Sequence, residues 1–154
     1  MKQEIKIIGY TEENKLAIKI LNYEWLEKYF RVENGDAIAL SNPTEEIIDK
    51  GGSIFYATLN DEIVGTAALV KINETVFEIG KMAVTEKAQG LGIGKLLIEN
   101  CIAYAEEKSL TSIIIYSNTS LKTAIHLYEK FGFKEIEMED GMYERANIKM
   151  ELLL

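Results

Sequence analysis

The chain has 154 residues, 47% apolar and 27% charged, with 1 Cys, 1 His and a net charge of −8. The balance is globular, and residues 1–154 are read as a single domain, long enough to bury about 70% of its unfolded surface without a disulfide or metal. The acidic excess argues against nucleic acid and a polybasic membrane contact, the lone Cys101 and His126 argue against a zinc site (no metal is implied), and the absence of a run of roughly 18 apolar residues or a signal peptide gives a cytoplasmic expectation.

The elements follow in clear order. Glu4 to Gly9 reads as a strand and Glu12 to about Phe30 as a helix with two apolar stripes, one of Leu16, Ile20, Tyr23 and Phe30, the other of Ile18, Leu21, Trp25 and Tyr29. Two stripes predict a helix that is covered on more than one side or lines a pocket. Asp36 to Leu40 and Pro43 to Lys50 read as short helical pieces, the second with Asn42 as N-cap and with Gly51 and Gly52 at its end. Ser53 to Leu59, Glu62 to Ile72 and Val76 to Val84 then form an antiparallel meander through Asn60-Asp61 and Asn73-Glu74. Gly92 to Lys108 is a helix, Ser112 to Tyr116 an apolar strand buried on both faces, and Ser120 to Phe131 a helix closed by Gly132. Phe133 to Met138 and Arg145 to Leu153 are the last strands, around a turn at Asp140-Gly141. The sum is a mixed α+β fold, a meander feeding a β-α-β crossover for which right-handedness is expected.

The segment Gln89-Gly90-Leu91-Gly92-Ile93-Gly94-Lys95 carries the functional signal. A strand ends, glycines alternate and a helix begins, so free amides and the positive helix end can receive a phosphate. Lys95 adds a cation, and Lys87, Lys122 and Lys130 lie within reach in sequence. A P-loop fails, because Gln89 and Leu96 stand where Gly and Ser or Thr are needed. The dinucleotide fingerprint fails at Lys95, where its third Gly belongs. A loop that merely turns a corner is the plain alternative.

Gln89, Gly92 and Gly94 match the Q/R-x-x-G-x-G/A loop, and Ala124-Ile125-His126-Leu127-Tyr128-Glu129-Lys130-Phe131-Gly132-Phe133 resembles the A-x-x-L-Y-x-x-x-G-F block, of the GNAT N-acetyltransferases. The order of elements is similar as well. The resemblance implies the acyl-CoA N-acyltransferase fold, with a largely antiparallel sheet split between its fourth and fifth strands and flanking helices. It implies acetyl-CoA as co-substrate. Carried over by position, the backbone of Met82, Ala83 and Val84 would pair with the pantetheine arm, and Gln89 to Lys95 would hold the pyrophosphate. Asn118 would hydrogen-bond the pantetheine, Thr123 and Lys130 would lie along the cofactor, and Tyr128 would sit near the sulfur. Gly80 independently marks a bulge that would tip the following amides toward a ligand.

Acetyl transfer needs a base for the amine, a donor for the oxyanion and an acid for the leaving thiolate. Tyr128 is the candidate acid, against a core tyrosine on an apolar stripe. The amide of Met82 or Ala83 is the oxyanion candidate. Glu78, on an alternating strand that puts it on one face with Gly80, Met82 and Val84, is the candidate base, against a solvated strand charge. His126 sits on a polar face and reads as solvated, Cys101 as an inert buried thiol, and Asn118 alternatively as a helix cap. Trp25, Tyr29 and Phe30 would wall the acceptor pocket, or be core. Arg31 and Arg145, the only arginines, would pair with an acceptor carboxylate, or form surface ion pairs.

The reading is an N-acetyltransferase acting on the primary amine of a small or amino-acid-like molecule. The alternatives are a protein N-terminal or lysine acetyltransferase, a non-catalytic acyl-CoA sensor module, and a dinucleotide-binding protein. The apolar end Leu152-Leu153-Leu154 suggests a homodimer contact.

Overall fold

The computed structural model describes residues 3–139 and 144–154. Seven strands form one sheet in the order β1-β2-β3-β4-β5-β7-β6. β1 (Ile5–Gly9), β2 (Ser53–Leu59), β3 (Glu62–Lys71) and β4 (Val76–Val84) are successive antiparallel neighbours. β5 (Ser112–Ser117) is parallel to β4, and β7 (Ile148–Leu153) lies antiparallel between β5 and β6 (Lys134–Ile136). The β2–β3 hairpin turns on Asn60 and Asp61, whose φ values of 50° and 70° give the left-handed pair that matches strand twist. The β6 strand is shorter than the Phe133 to Met138 expectation, and β7 begins at Ile148 rather than Arg145. The expected turn at Asp140-Gly141 lies outside the described residues.

Helices cover both faces. α3 (Ile93–Glu107) and α4 (Lys122–Lys130) share one core with Phe77, Ile79, Leu97, Ile98, Cys101, Ile113 and Tyr128. On the other face α1 (Leu16–Tyr29), α2 (Asn34–Ser41) and a π-helical turn at Thr44–Ile48 pack Ile18, Leu26, Leu40 and Ile47 against Ile54, Tyr56 and Ala68. Leu152 packs on the first core, whereas Leu153 and Leu154 are exposed. Among the described residues, no helix is long and apolar enough to cross a membrane.

Three local expectations are corrected. α1 starts at Leu16 because Thr11 and Asn14 close a turn on each other first, with Thr11 N–H donating to Asn14 Oδ1 at 2.7 Å. Its buried side is Ile18, Leu21, Asn22 and Leu26, so the stripe begun by Leu16 and Ile20 is exposed at that end. Asn42 does not cap the next helix through its side chain. It closes α2, with Nδ2 donating to Ile38 O at 3.0 Å.

Burial pushes Tyr56, Cys101 and Tyr128 each up to about 12, from ordinary values of 10.0, 9.0 and 10.0. All three are neutral when protonated, so above pH 9 the unfolded chain releases protons that the folded chain keeps. Stability must fall as pH rises through 9 to 12. Denaturant titrations should give a flat unfolding free energy from pH 7 to 8 and a steady decline above 9. A flat profile to pH 11 would contradict these burial assignments.

Candidate functional site

β4 and β5 pair only from Val76 to Glu78 and from Ser112 to Ile114. Beyond Glu78 and Ile114 the two strands part, and a cleft of about 1160 Å³ fills the gap. It runs from the glycine loop, past the ends of β4 and β5, to the aromatic residues of α1.

A bulge shapes the β4 wall. The ladder with β3 steps from Ala68↔Gly80 to Thr66↔Ala83, so Lys81 and Met82 stand opposite Ala67 alone. Gly80 itself stays in the ladder, and the left-handed residue is Lys81, with φ 52°. A lysine holds that conformation because α1 clamps it: Asn22 Nδ2 donates to Lys81 O at 3.0 Å and to Ile18 O at 2.9 Å. The extra residue reverses the alternation. Met82 and Val84 pack toward the α3 core with Phe77 and Ile79. Glu78 and Gly80 pair with Val70 and Ala68, which belong to the α1 side. The expectation that Glu78 shares a face with Met82 and Val84 is therefore corrected, because one inserted residue flips every later side chain. The consequence is a cleft that passes through the sheet, with Glu78 toward α1 and Tyr128 on the α4 side.

At one end lies the glycine loop. After β4 a 3-10 turn at Glu86–Ala88 leads into Gly90 and Gly92, with φ of 82° and 79°, and Gly92 caps α3. The first α-helical bond runs from Leu96 N to Gly92 O, so the amides of 93–95 lie before it and face outward from the helix start. A Cβ built on Gly90, Gly92 or Gly94 would meet nothing within 4 Å, which leaves the backbone open to a ligand. Gln89 to Lys95 line the cleft except Leu91. The Gln89 amide reaches Val84 O at 3.4 Å. From α4, Lys122, Thr123, Lys130 and the exposed His126 line the cleft as well. Lys87 instead pairs with Glu62 at 2.6 Å and does not line the cleft.

The middle is Tyr128. It is 6% exposed, packs edge-on against Phe133 with centroids 6.1 Å apart, and shares a hydrogen bond with the Ser117 hydroxyl at the end of β5. Burial drives its pKa up to about 12 and the Ser117 bond only partly opposes this, so the phenol keeps its proton at neutral pH. Ser117 escaped the sequence reading as a site residue, since a serine at a strand end carries no pattern of its own. Asn118 lines the cleft, yet its side chain also shapes the local turn: Oδ1 accepts Ser120 N–H at 2.9 Å and Nδ2 donates to Arg145 O at 2.8 Å. Cys101 is fully buried and lies outside the cleft.

At the α1 end, Trp25 packs on Tyr29 and Phe30 with centroids 5.9 and 5.4 Å apart, and all three line the cleft with the buried Glu78. Beneath them sits an ion cluster that the sequence did not reveal. Asp36 opens α2 and accepts Glu33 N–H at 3.1 Å, Lys81 Nζ at 2.9 Å, and both ends of the Arg145 guanidinium at 2.7 and 2.9 Å. Arg145 also reaches Glu33 at 2.5 Å. Burial would raise the Asp36 carboxyl, but its bonds and charge contacts with Arg145 and Lys81 outweigh that and hold it below its ordinary value. Arg31 is exposed and pairs with Glu144. Arg31 and Arg145, expected to pair with an acceptor carboxylate or to form ion pairs within the chain, each hold a carboxylate of the chain here.

Comparison with known proteins agrees with this geometry. An uncharacterized N-acetyltransferase of Chlorobaculum tepidum is 29% identical over 105 residues, which is 68% of this chain and 64% of that protein, so the match spans just under two thirds of the relative. In fold, the GNAT-family acetyltransferase of Staphylococcus aureus Mu50 superposes with a TM-score of 0.86 at 22% identity, covering 97% of this chain and 99% of the other. The PaiA N-acetyltransferase of Thermoplasma acidophilum, solved in complex with coenzyme A, gives a TM-score of 0.77 at 16% identity over 98% of this chain and 99% of that one. Residues 18–133, from the buried face of α1 through the split strands and the glycine loop to Phe133, match the family described as acetyltransferase (GNAT), and the chain belongs to that family.

Proposed function

We propose that this protein is an N-acetyltransferase that moves the acetyl group of acetyl-CoA directly to the primary amine of a small molecule. The observation that carries the reading is the split of β4 from β5 beside the start of α3, with a buried, protonated Tyr128 in the gap. The residues present fit the co-substrate. The open backbone of Gln89 to Lys95 and the cations Lys95, Lys122 and Lys130 suit a pyrophosphate. The edge of β4 from Met82 to Val84 and the second amide hydrogen of Asn118 suit a pantetheine arm, with Thr123 alongside.

In this reading the acceptor enters from the α1 side and its ammonium gives one proton to Glu78, directly or through a water. Its nitrogen lone pair attacks the thioester carbonyl carbon, and the amide of Met82 or Ala83 stabilises the oxyanion. As the C–N bond is kept and the C–S bond breaks, the electron pair goes to sulfur, which takes a proton from Tyr128. The second proton lost by nitrogen refills the phenol. The products are the acetamide and the free CoA thiol, with one proton released.

Calorimetric titration with acetyl-CoA, paired with thiol release over a panel of amines, tests this. Binding with release for one acceptor class is the expected result. Binding without release for any acceptor would leave a sensor module in its place, and no binding would overturn the reading of the glycine loop.

A further inference from the structure

We infer that Asn22 is a positioning residue for acyl transfer: its side-chain amide holds Lys81 in the left-handed conformation and thereby aims the Met82 N–H at the thioester carbonyl. This rests on the acetyltransferase reading above and assigns the oxyanion contact within it. Asn22 stands mid-helix in α1, 2% exposed, on the buried side with Ile18, Leu21 and Leu26. A polar side chain there is a poor helix former and costs desolvation. Its Nδ2 offsets that cost with two donations, to Ile18 O at 2.9 Å and, 59 positions along the chain, to Lys81 O at 3.0 Å. The first pins the amide to its own helix, so the second acts from a fixed point.

Lys81 O and the Met82 N–H belong to one planar trans peptide, in which the carbonyl and the N–H point opposite ways. Drawing the carbonyl toward α1 therefore turns the Met82 N–H away from Asn22. Met82 lines the cleft, and the bulge sets Lys81 and Met82 opposite Ala67 alone. Lys81 also sits at φ 52°, a conformation strained for any residue with a Cβ. Without the Asn22 bond this peptide relaxes toward ordinary strand geometry, and the N–H turns off the reacting carbonyl. A side chain on α1 thus sets the electrophilic side of the reaction without touching acetyl-CoA itself.

The test uses acetyl-CoA labelled at its carbonyl carbon, bound to wild type and to Asn22→Ala. Alanine is the better helix former, so α1 is kept. Asn22→Leu, which keeps the bulk without the donor, replaces it if Asn22→Ala does not fold. The infrared stretch of the bound carbonyl should lie at higher frequency in the variant, because a hydrogen bond to it is lost. The Kd for CoA, which has no acyl group, should stay within about threefold, since the glycine loop is untouched. Thiol release with the fastest amine of the panel should lose about tenfold in kcat, the population cost of a left-handed lysine. In a Lys81→Gly background the same Asn22 change should cost only about twofold, because glycine takes that φ without strain. The ion pair of Lys81 with Asp36 is then missing from both proteins compared. An unchanged carbonyl stretch, or an equal kcat loss in the glycine background, overturns the inference and leaves Asn22 a structural residue. If Lys81→Gly does not fold, the carbonyl stretch decides by itself. Failure of wild type to bind acetyl-CoA would instead overturn the function itself, and this inference with it.

Discussion

Replacing Asp36 by alanine should destabilise the fold by about 3–5 kcal/mol, the range for removing one partner of a buried ion pair, and lower Tm by about 10 °C for a chain of this size. The Asp36 side chain is 1% exposed, against 11% for Lys81 and 19% for Arg145. Its loss removes the carboxylate that Lys81 and Arg145 both bond. It also removes the acceptor for Glu33 N–H at the start of α2 and the tether that holds the Lys81 side chain over the bulge. Asp36→Asn keeps the shape and the α2 acceptor but not the charge, so it should fall between wild type and alanine. The pH dependence has a definite sign. A carboxyl held below its ordinary value of 3.8 stabilises the fold above that value, and the contribution is lost as pH falls through the folded-state pKa. Wild type should therefore lose stability on acidification below about pH 4 more steeply than Asp36→Asn. A Tm change under about 2 °C for Asp36→Ala would show that the cluster contributes little.

Tyr128→Phe should lower kcat by about 10²- to 10⁴-fold, the range for losing a general acid, while leaving the Kd for acetyl-CoA within a few-fold. The phenyl ring keeps the packing on Phe133, and only the bond with Ser117 is lost, so stability should change by about 1 kcal/mol. Thiol release measured with an activated, better-leaving thioester should recover much of the lost rate, because such a thiolate departs without a proton. Equal kcat for both proteins would remove Tyr128 from the chemistry and return it to the core. Ser117→Ala should have a much smaller effect, since it orients the phenol without supplying a proton.

The chemistry-bearing segment was legible in the sequence because local backbone physics wrote it there. Gly90 and Gly92 take left-handed conformations that few other residues tolerate, and a strand must end and a helix begin around them. Asn60-Asp61 and Gly132 are legible for the same reason. The Lys81 bulge was half legible. Gly80 pointed to the place, but the residue that turns is a lysine, held by Asn22 from 59 positions away. A side chain on α1 stabilising a carbonyl on β4 has no local signature.

Length, composition, the hydrophobic periods and the glycine spacing by themselves determined the order of elements, the antiparallel meander and the loop that opens α3. These are properties of neighbours along the chain. Tertiary structure alone decided that Glu78 and Met82 face opposite sides of the sheet, because the residue inserted at the bulge between them reverses the alternation of the side chains that follow. It alone decided that Arg145 bonds Asp36 and Glu33, which lie 109 and 112 positions away. A guanidinium takes whatever carboxylate the fold brings to it, and when that partner is buried at 2.7 Å the bond is made before any substrate arrives.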